Sequence, residues 1–114
     1  MSIYKSVLYK LGGPKVSFDY NDTLDTPRGQ EIAKRLIQEG KEVHIVTRLR
    51  ENMGGGVKRL AQELGIPLNH VHFTEGHLKW KKLKNLGIST HYDNNQDEID
   101  AINKNTVGIR AIKF

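Results

Sequence analysis

Two carboxylates in this sequence stand where strands are expected to end. Asp19 closes the strand-like segment Lys15–Asp19, and Asp93 closes the segment Ile88–Asp93. A carboxylate in such a position can act as a nucleophile, as a metal ligand, or as both. Two carboxylates that meet at one sheet edge repel each other unless a cation or a shared proton separates them. Because oxygen ligands without cysteine favour a hard ion, the pair predicts a Mg²⁺ site.

A hydroxyl and an ammonium group add to this pair. Thr47 closes the segment Glu42–Thr47, and Lys79 stands at the start of a helical pattern. The Thr47 hydroxyl can donate a hydrogen bond to a phosphoryl oxygen. The Lys79 ammonium can lie between a nucleophile and the charges of a phosphate. These residue types predict chemistry on a phosphate group.

Alternating strand and helix patterns must position these side chains. Short apolar runs alternate with helical periods, which predicts βα units and an α/β fold with a parallel sheet. The predicted strands are 3–11 (an edge strand), 15–19, 42–47, 70–74, 88–93 and 106–114. The predicted helices are 27–40, 57–64, 79–86 and 96–103. Working groups gather at the carboxyl ends of such strands. We therefore expect four residues there, on strands at the sheet centre: Asp19, Thr47, Thr74 and Asp93.

Composition limits the class of protein. The chain has 114 residues, 37% hydrophobic and 27% charged, which is typical of one globular domain, here 1–114. No apolar run reaches the roughly 18 residues of a membrane span. The apolar part of the N-terminal segment is too short for a signal peptide. We therefore expect a cytoplasmic protein without membrane contact. The absence of cysteine excludes disulfides and thiolate chemistry. The formal charge of +5 favours anionic partners, including phosphates and nucleic acids.

Four segments resemble the motifs of the haloacid dehalogenase (HAD) superfamily. Phe18–Leu24 (Phe-Asp-Tyr-Asn-Asp-Thr-Leu) is similar to the first motif, Asp-x-Asp-x-Thr after a hydrophobic strand. Val43–Thr47 resembles the second motif, a hydrophobic strand that ends in Thr or Ser. Lys79 matches the lysine of the third motif, and His91–Asp97 is similar to the acidic fourth motif. The motifs occur in the family's order and span most of the chain.

The resemblance implies a Rossmann-like, HAD-type fold and Mg²⁺-dependent phosphatase activity. Asp19 would be the nucleophile and would form an aspartyl-phosphate. The carboxylates of Asp19 and Asp93 and the backbone carbonyl of Asn21 would bind Mg²⁺. Thr47 and Lys79 would hold the phosphoryl oxygens.

The same resemblance implies further site residues. Asp97 or Asn94 would act through a metal-bound water. Lys81 or Lys82 would replace Lys79 if the register of that helix differs. We also expect four residues to contact the substrate: Asp22, Thr23, Arg48 and Asn94.

Asn21 departs from the family pattern. The phosphatases of the family carry their general acid/base aspartate at this position, whereas a carboxamide cannot exchange a proton with the leaving group or with water. General acid–base help is worth about 10²–10⁴ in rate, so we expect an impaired enzyme. The sequence leaves open whether Asn21 is a natural loss of activity or a deliberate change. Asn94 likewise stands where many members carry a second acid.

The motif spacing leaves no room for an inserted cap domain. One helix and one strand fill the interval from Thr23 to Thr47, and the interval from Thr47 to Lys79 is similar. An open site admits a nucleic-acid end, a phosphoprotein, or a substrate that a partner subunit covers. We expect a phosphorylated small molecule or a nucleic-acid end as the partner, and the positive charge favours a nucleotide or nucleic-acid phosphate.

Three alternatives stay open at this point. The same fold could be a non-catalytic module that binds phosphate or metal. A phospho-acceptor receiver domain needs its acceptor Asp after the third strand, but the mid-chain strands here end in Thr47 and Thr74. A nucleic-acid binder could use the basic segment 79–84, with Trp80 as a stacking platform.

Two other patterns are less specific. The run Gly54–Gly56 precedes a helical pattern but lacks the Gly-Lys-Ser/Thr ending of a P-loop, so it favours a flexible loop. His70 and His72 share a strand face, yet no third ligand follows at a convincing spacing, and a histidine metal site is therefore not expected.

Overall fold

A computed structural model describes residues 14–114, which form a parallel sheet of five strands flanked by helices. The strands are β1 (Lys15–Phe18), β2 (Glu42–Thr47), β3 (Val71–Phe73), β4 (Thr90–Asp93) and β5 (Arg110–Lys113). The helices are α1 (Pro27–Gln38), α2 (Gly55–Leu64), α3 (Trp80–Leu86) and α4 (Gln96–Asn105). This arrangement confirms the expected Rossmann-like α/β fold. The predicted edge strand 3–11 lies outside the described residues.

The strand order places the predicted site residues at the switch point of the sheet. The order is β3-β2-β1-β4-β5. The chain adds β2 and β3 on one side of β1 and then crosses to add β4 and β5 on the other side of β1. Phe18 of β1 lies in register with Ile45 of β2 and with Tyr92 of β4. Ligands of open α/β sheets bind where the strand order reverses. Asp19 and Asp93 stand at the ends of the two strands that meet there.

The expectation that Thr74 ends a central strand is wrong for the described sheet. β3 pairs only with β2 and forms one edge of the described strand order. The chain crosses from β3 over β2 and β1 before it enters β4. Thr74 is consequently distant in strand order from Asp93, and its hydroxyl donates a local hydrogen bond to the carbonyl of His77 (2.6 Å).

Local sequence features explain where the helices begin. Thr26 caps α1 by accepting a hydrogen bond from Gly29 N (3.1 Å), and Pro27 fills the first helical position. Helix α2 begins at Gly55, so most of the glycine run is helical and not a loop. Gly54 lies directly against the ring of Phe73, where a Cβ atom would collide. A larger residue at this position would force the Phe73 ring to shift.

Two apolar layers hold the helices to the sheet. On one face, Phe18 and Ile45 are fully buried and belong to a core with α1 and α2. On the other face, Val46 packs with Leu83 of α3 and Ile102 of α4. Burying side chains of this size contributes about 1.5–3 kcal/mol each. Successive side chains of a strand point to opposite faces, so Ser17 and Asp19 project from β1 toward the α3 and α4 side.

No helix within residues 14–114 has both the length and the apolar character that crossing a bilayer requires.

Candidate functional site

A cleft of about 670 Å³ opens at the carboxyl ends of the central strands. The structure brings seven of the ten predicted site residues into its lining: Asp19, Asn21, Thr47, Arg48, Lys79, Asp93 and Asn94. They come from the ends of β1, β2 and β4 and from the start of α3. The cleft therefore has the position that the strand-end pattern predicted.

Lys79 joins the two predicted carboxylates at the base of this cleft. Its Nζ donates hydrogen bonds to Asp19 Oδ1 (2.7 Å) and to Asp93 Oδ2 (2.7 Å), and only 1% of the residue is exposed. Lys81 is exposed and Lys82 is half-buried, and neither lines the cleft. Lys79 is thus the lysine of the site, and it is the residue that precedes α3.

Asp93 is oriented by a buried hydrogen-bond chain. His91 Nε2 donates to Asp93 Oδ2 (2.8 Å), and the backbone N–H of Asn95 donates to Oδ1 (3.0 Å). The other ring nitrogen, His91 Nδ1, accepts from the Ser17 hydroxyl (2.6 Å). Burial lowers the pKa of His91, so the neutral ring is the donor. Burial alone would raise the pKa of Asp93, but the His91 hydrogen bond and the Lys79 charge outweigh it and hold that pKa below its usual value.

The Ser17–His91–Asp93 chain is not a nucleophilic triad. Ser17 lies inside β1 with no exposed surface, and it does not line the cleft. A substrate cannot reach its hydroxyl. The chain instead fixes the direction in which Asp93 presents its carboxylate.

Asp19 sits in a different electrostatic environment. Burial raises its pKa, the Lys79 charge opposes this, and the nearby Asp93 charge adds to it, so the pKa lies above the ordinary value. The turn Tyr20–Leu24 wraps around the residue, and Thr23 Oγ1 donates to Asp19 Oδ2 (3.4 Å). An additional positive charge at the cleft would favour the ionised form of Asp19.

Asn94 joins two groups of the cleft. Its side-chain amide nitrogen donates hydrogen bonds to Asp19 Oδ2 (2.9 Å) and to the backbone carbonyl oxygen of Asn21 (3.2 Å). Asn94 thus orients the Asp19 carboxylate and the carbonyl that the resemblance assigns to Mg²⁺. Both are oxygen donors of the kind that a hard cation prefers.

Glu98 is a site residue that the motif pattern missed. It lines the cleft with no exposed surface, and its Oε1 accepts from the backbone N–H of Lys79 (3.0 Å). Its Oε2 has no hydrogen-bond partner within residues 14–114, and Arg48 Nε lies 3.6 Å away. Burial raises the pKa of Glu98. Helical periodicity could have identified it, because Glu98 stands one turn before the buried Ile102.

Three predicted site residues do not line the cleft. Asp97 is exposed on the first turn of α4, and its backbone N–H donates to the Asn95 side chain that caps this helix (2.8 Å). The metal role expected for Asp97 is not supported by this position. Asp22 is exposed at a left-handed backbone position (φ 58°). Thr23 is fully buried and supports Asp19, so a contact with substrate is not available to it.

A second, shallower groove of about 440 Å³ adjoins the cleft. Arg48 lines both cavities. The remaining wall contains the half-buried Trp80, the exposed Leu78 and Lys81, whose ammonium lies 5.5 Å from the centre of the Trp80 ring. The groove thus combines an aromatic surface with cationic side chains.

Comparisons of the chain with models of protein families, with curated proteins and with solved structures found no match.

Proposed function

We propose that this chain is a Mg²⁺-dependent phosphohydrolase of the HAD type that works through an aspartyl-phosphate on Asp19, and that Asn21 impairs its turnover. The observation that carries the proposal is the buried Lys79 ammonium shared by Asp19 and Asp93 at the base of an open cleft. An ammonium in that position can meet a phosphoryl oxygen while it keeps the two acids together.

The residues of the cleft divide the reaction between them. An oxygen of Asp19 attacks phosphorus, and the bond between phosphorus and the leaving oxygen breaks as the new bond forms. Water then attacks the phosphorus of the aspartyl-phosphate, which releases inorganic phosphate and restores the carboxylate. Thr47 Oγ1 accepts from the backbone N–H of Leu49 (3.3 Å), and its own hydroxyl hydrogen, which has no acceptor within residues 14–114, can be donated to a phosphoryl oxygen.

Mg²⁺ would be held by Asp19, Asp93 and the carbonyl of Asn21, and it would neutralise phosphate charge during the transfer. Three acids, Asp19, Asp93 and Glu98, share the cleft with three cationic residues, Arg48, Lys79 and Lys113. The proposal of a bound cation therefore depends on the oxygen donors and not on an excess of negative charge.

The Asn21 side chain impairs the protonation of the leaving oxygen. The leaving oxygen needs a proton, and a carboxamide does not supply one. Alkyl phosphates depend on that proton more than aryl phosphates, because a phenolate is a better leaving group. We therefore expect the deficit to be largest for natural alkyl esters such as nucleotides.

The groove beside the cleft supports a nucleotide or a nucleic-acid end as the substrate. A phosphate in the cleft would place an attached base near Trp80, and Arg48 lies between the two cavities. Aromatic rings stack on bases of any sequence. The formal charge of +5 adds a general attraction for such anions.

Phosphate release by Asn21→Asp tests the proposal. With Mg²⁺ present, we expect this variant to hydrolyse a nucleoside monophosphate about 10²–10⁴ times faster than the starting chain. The gain with p-nitrophenyl phosphate should be smaller. The matched control is Asn21→Asp combined with Asp19→Asn, which should be inactive because it lacks the nucleophile.

Asn21 also favours a second candidate, a phosphate-binding module without turnover. That function predicts that inorganic phosphate or a nucleotide binds the chain, while Asn21→Asp releases no phosphate from any ester. Measured binding without release in the repaired variant would therefore replace the hydrolase proposal with the module.

A further inference from the structure

A second polar cluster lies on the sheet away from the cleft. Glu42 and His44 are on β2, His70 directly precedes β3, and His72 lies within β3. One ligand atom from each of Glu42, His44 and His70 lies within 4.8 Å of the others. The cluster is toward the amino-terminal ends of the strands, and none of its members lines the cleft. Pairing of β2 with β3 supplies the third ligand that sequence spacing did not reveal.

Among the described residues, the hydrogen bonds of His70 leave one of its ring nitrogens available. His70 Nδ1 lies 3.1 Å from the backbone carbonyl oxygen of Val43, which can only accept. Nδ1 must therefore carry the proton, and Nε2 has a lone pair. This is the usual arrangement of a metal-binding histidine, in which one nitrogen is held by a carbonyl and the other faces the ion.

His44 has a partner on each ring nitrogen. Its Nε2 lies 2.6 Å from Glu42 Oε2, and its Nδ1 lies 3.0 Å from His72 Nε2. A cation would replace the proton that His44 Nε2 shares with Glu42. The His44 ring would then carry its proton on Nδ1 and donate it to His72 Nε2. The His72 ring would in turn carry its proton on Nδ1. The change needs no net release of a proton, and His72 then orients the ligand from behind.

The cluster is shielded from solvent. His44 is only 4% exposed, and Glu42 and His70 are half-buried. A carboxylate and imidazole nitrogens are ligands that a metal binds in their deprotonated forms, so binding would compete with protons at these groups.

We propose that Glu42, His44 and His70 bind one transition-metal dication of the zinc class, through the carboxylate of Glu42 and Nε2 of both histidines. Two imidazoles and a carboxylate are a ligand set that zinc uses, with a fourth position left for water. Imidazole ligands favour such ions over Mg²⁺, so this site is chemically distinct from the oxygen-lined cleft.

Binding requires one local rearrangement. The rings of His44 and His70 are stacked, with centroids 4.1 Å apart and planes inclined by 18°. Stacked rings direct their lone pairs in nearly parallel directions, so the His70 ring must turn toward the ion. His70 is half-buried at the end of a single helical turn, Leu68–His70, directly before β3. The rearrangement is therefore confined to one side chain at the edge of the described sheet.

Calorimetric titration of the whole chain with Zn²⁺ at pH 7, without phosphate or Mg²⁺, tests the site. We expect one equivalent to bind, and we expect His70→Ala and Glu42→Gln each to weaken binding at least tenfold. The matched control His77→Ala removes an exposed histidine outside the cluster and should leave the affinity unchanged. Replacement of Zn²⁺ by Co²⁺ should give the visible absorption of a four-coordinate ion.

Lys15 provides a variant that should act in the opposite direction. Its Nζ lies 3.8 Å from Glu42 Oε2 and competes with the ion for that carboxylate. Lys15→Met should therefore tighten Zn²⁺ binding several-fold, a result that general damage to the fold would not produce. Absence of stoichiometric binding to the starting chain, or equal affinity in His70→Ala, would overturn the proposal. Loss of zinc binding in Asp93→Asn but not in His70→Ala would assign the ion to the cleft and would also overturn it.

Discussion

Lys79 Nζ lies 2.7 Å from Asp19 Oδ1, although the two residues are 60 positions apart in the sequence. The contact is buried and includes Asp93, so one ammonium compensates two acids that face each other. Removing one partner of such a group leaves uncompensated charge in a poorly solvated place, which is much more costly than losing a surface ion pair. Lys79 therefore contributes to stability as well as to the proposed phosphate chemistry.

Lys79→Met should lower the free energy of unfolding by about 3–5 kcal/mol at pH 7. Without the ammonium, repulsion between Asp19 and Asp93 raises the folded-state pKa of one of them above its unfolded value. Protonation on acidification then stabilises the folded state, so the loss should be smaller at pH 5 than at pH 7. Urea unfolding at both pH values, with a chelator present, measures the two losses.

Lys81→Met is the matched control for this experiment. Lys81 lies in the first turn of α3, two residues after Lys79, but it is exposed, and its removal should change stability by less than about 0.5 kcal/mol. A Lys79→Met loss no larger than that of the control would show that the buried ammonium does not stabilise the acid pair.

Trp80→Ala should weaken the binding of a nucleoside monophosphate and leave inorganic phosphate binding unchanged. Stacking of one base on an aromatic side chain is worth about 1–3 kcal/mol, which corresponds to roughly a 5- to 150-fold change in the dissociation constant. Calorimetry on the starting chain can measure both ligands, because Asn21 slows turnover.

Trp80→Phe controls for the packing that Trp80 also provides against Leu83 and its neighbours. The phenylalanine ring should restore a large part of the nucleotide affinity. If Trp80→Ala weakens both ligands equally, the groove does not recognise the base, and a small phosphorylated molecule becomes the better candidate substrate.

Sequence patterns predicted the fold and the strand-end residues because both depend on local periodicity. Asp19 and Thr47 each follow a short, mostly apolar run, Asp93 ends the strand pattern 88–93, and parallel strands bring such ends to one edge. The expected position of Lys79 depended on motif order, and its contacts with both acids agree with that expectation.

Contacts between distant strands could not be predicted in this way. Ser17 and His91 are 74 positions apart, and only the pairing of β1 with β4 places them side by side. The Glu42 and His70 cluster likewise depends on how β2 and β3 are aligned.

Asp97 was expected in the site because it belongs to the acidic segment, but one residue along a helix turns a side chain by about 100°. That rotation directs Glu98 into the cleft and leaves Asp97 in solvent.

Glu98 carries an electrostatic penalty at neutral pH. Burial raises the pKa of this carboxyl, while the backbone hydrogen bond from Lys79 opposes the shift. Its Oε1 accepts from Lys79 N, whereas Oε2 lacks a hydrogen-bond partner among the described residues. An acid whose folded-state pKa is raised destabilises the protein above that pKa, where it is ionised in both states. The penalty disappears as the pH falls toward the unfolded-state value of 4.5.

Glu98→Gln should therefore increase the free energy of unfolding by about 1–3 kcal/mol at pH 7, because it removes the buried charge and keeps an oxygen that accepts from Lys79 N. The gain should shrink as the pH is lowered toward 4.5. Thermal and urea unfolding between pH 7 and this pH measure the gain in the free energy of unfolding.

Asp97→Asn removes one negative charge from the adjacent exposed position, so it should show neither the gain nor the pH dependence. A pH-independent effect of Glu98→Gln, or one that Asp97→Asn reproduces, would mean that the buried charge of Glu98 is not the cause.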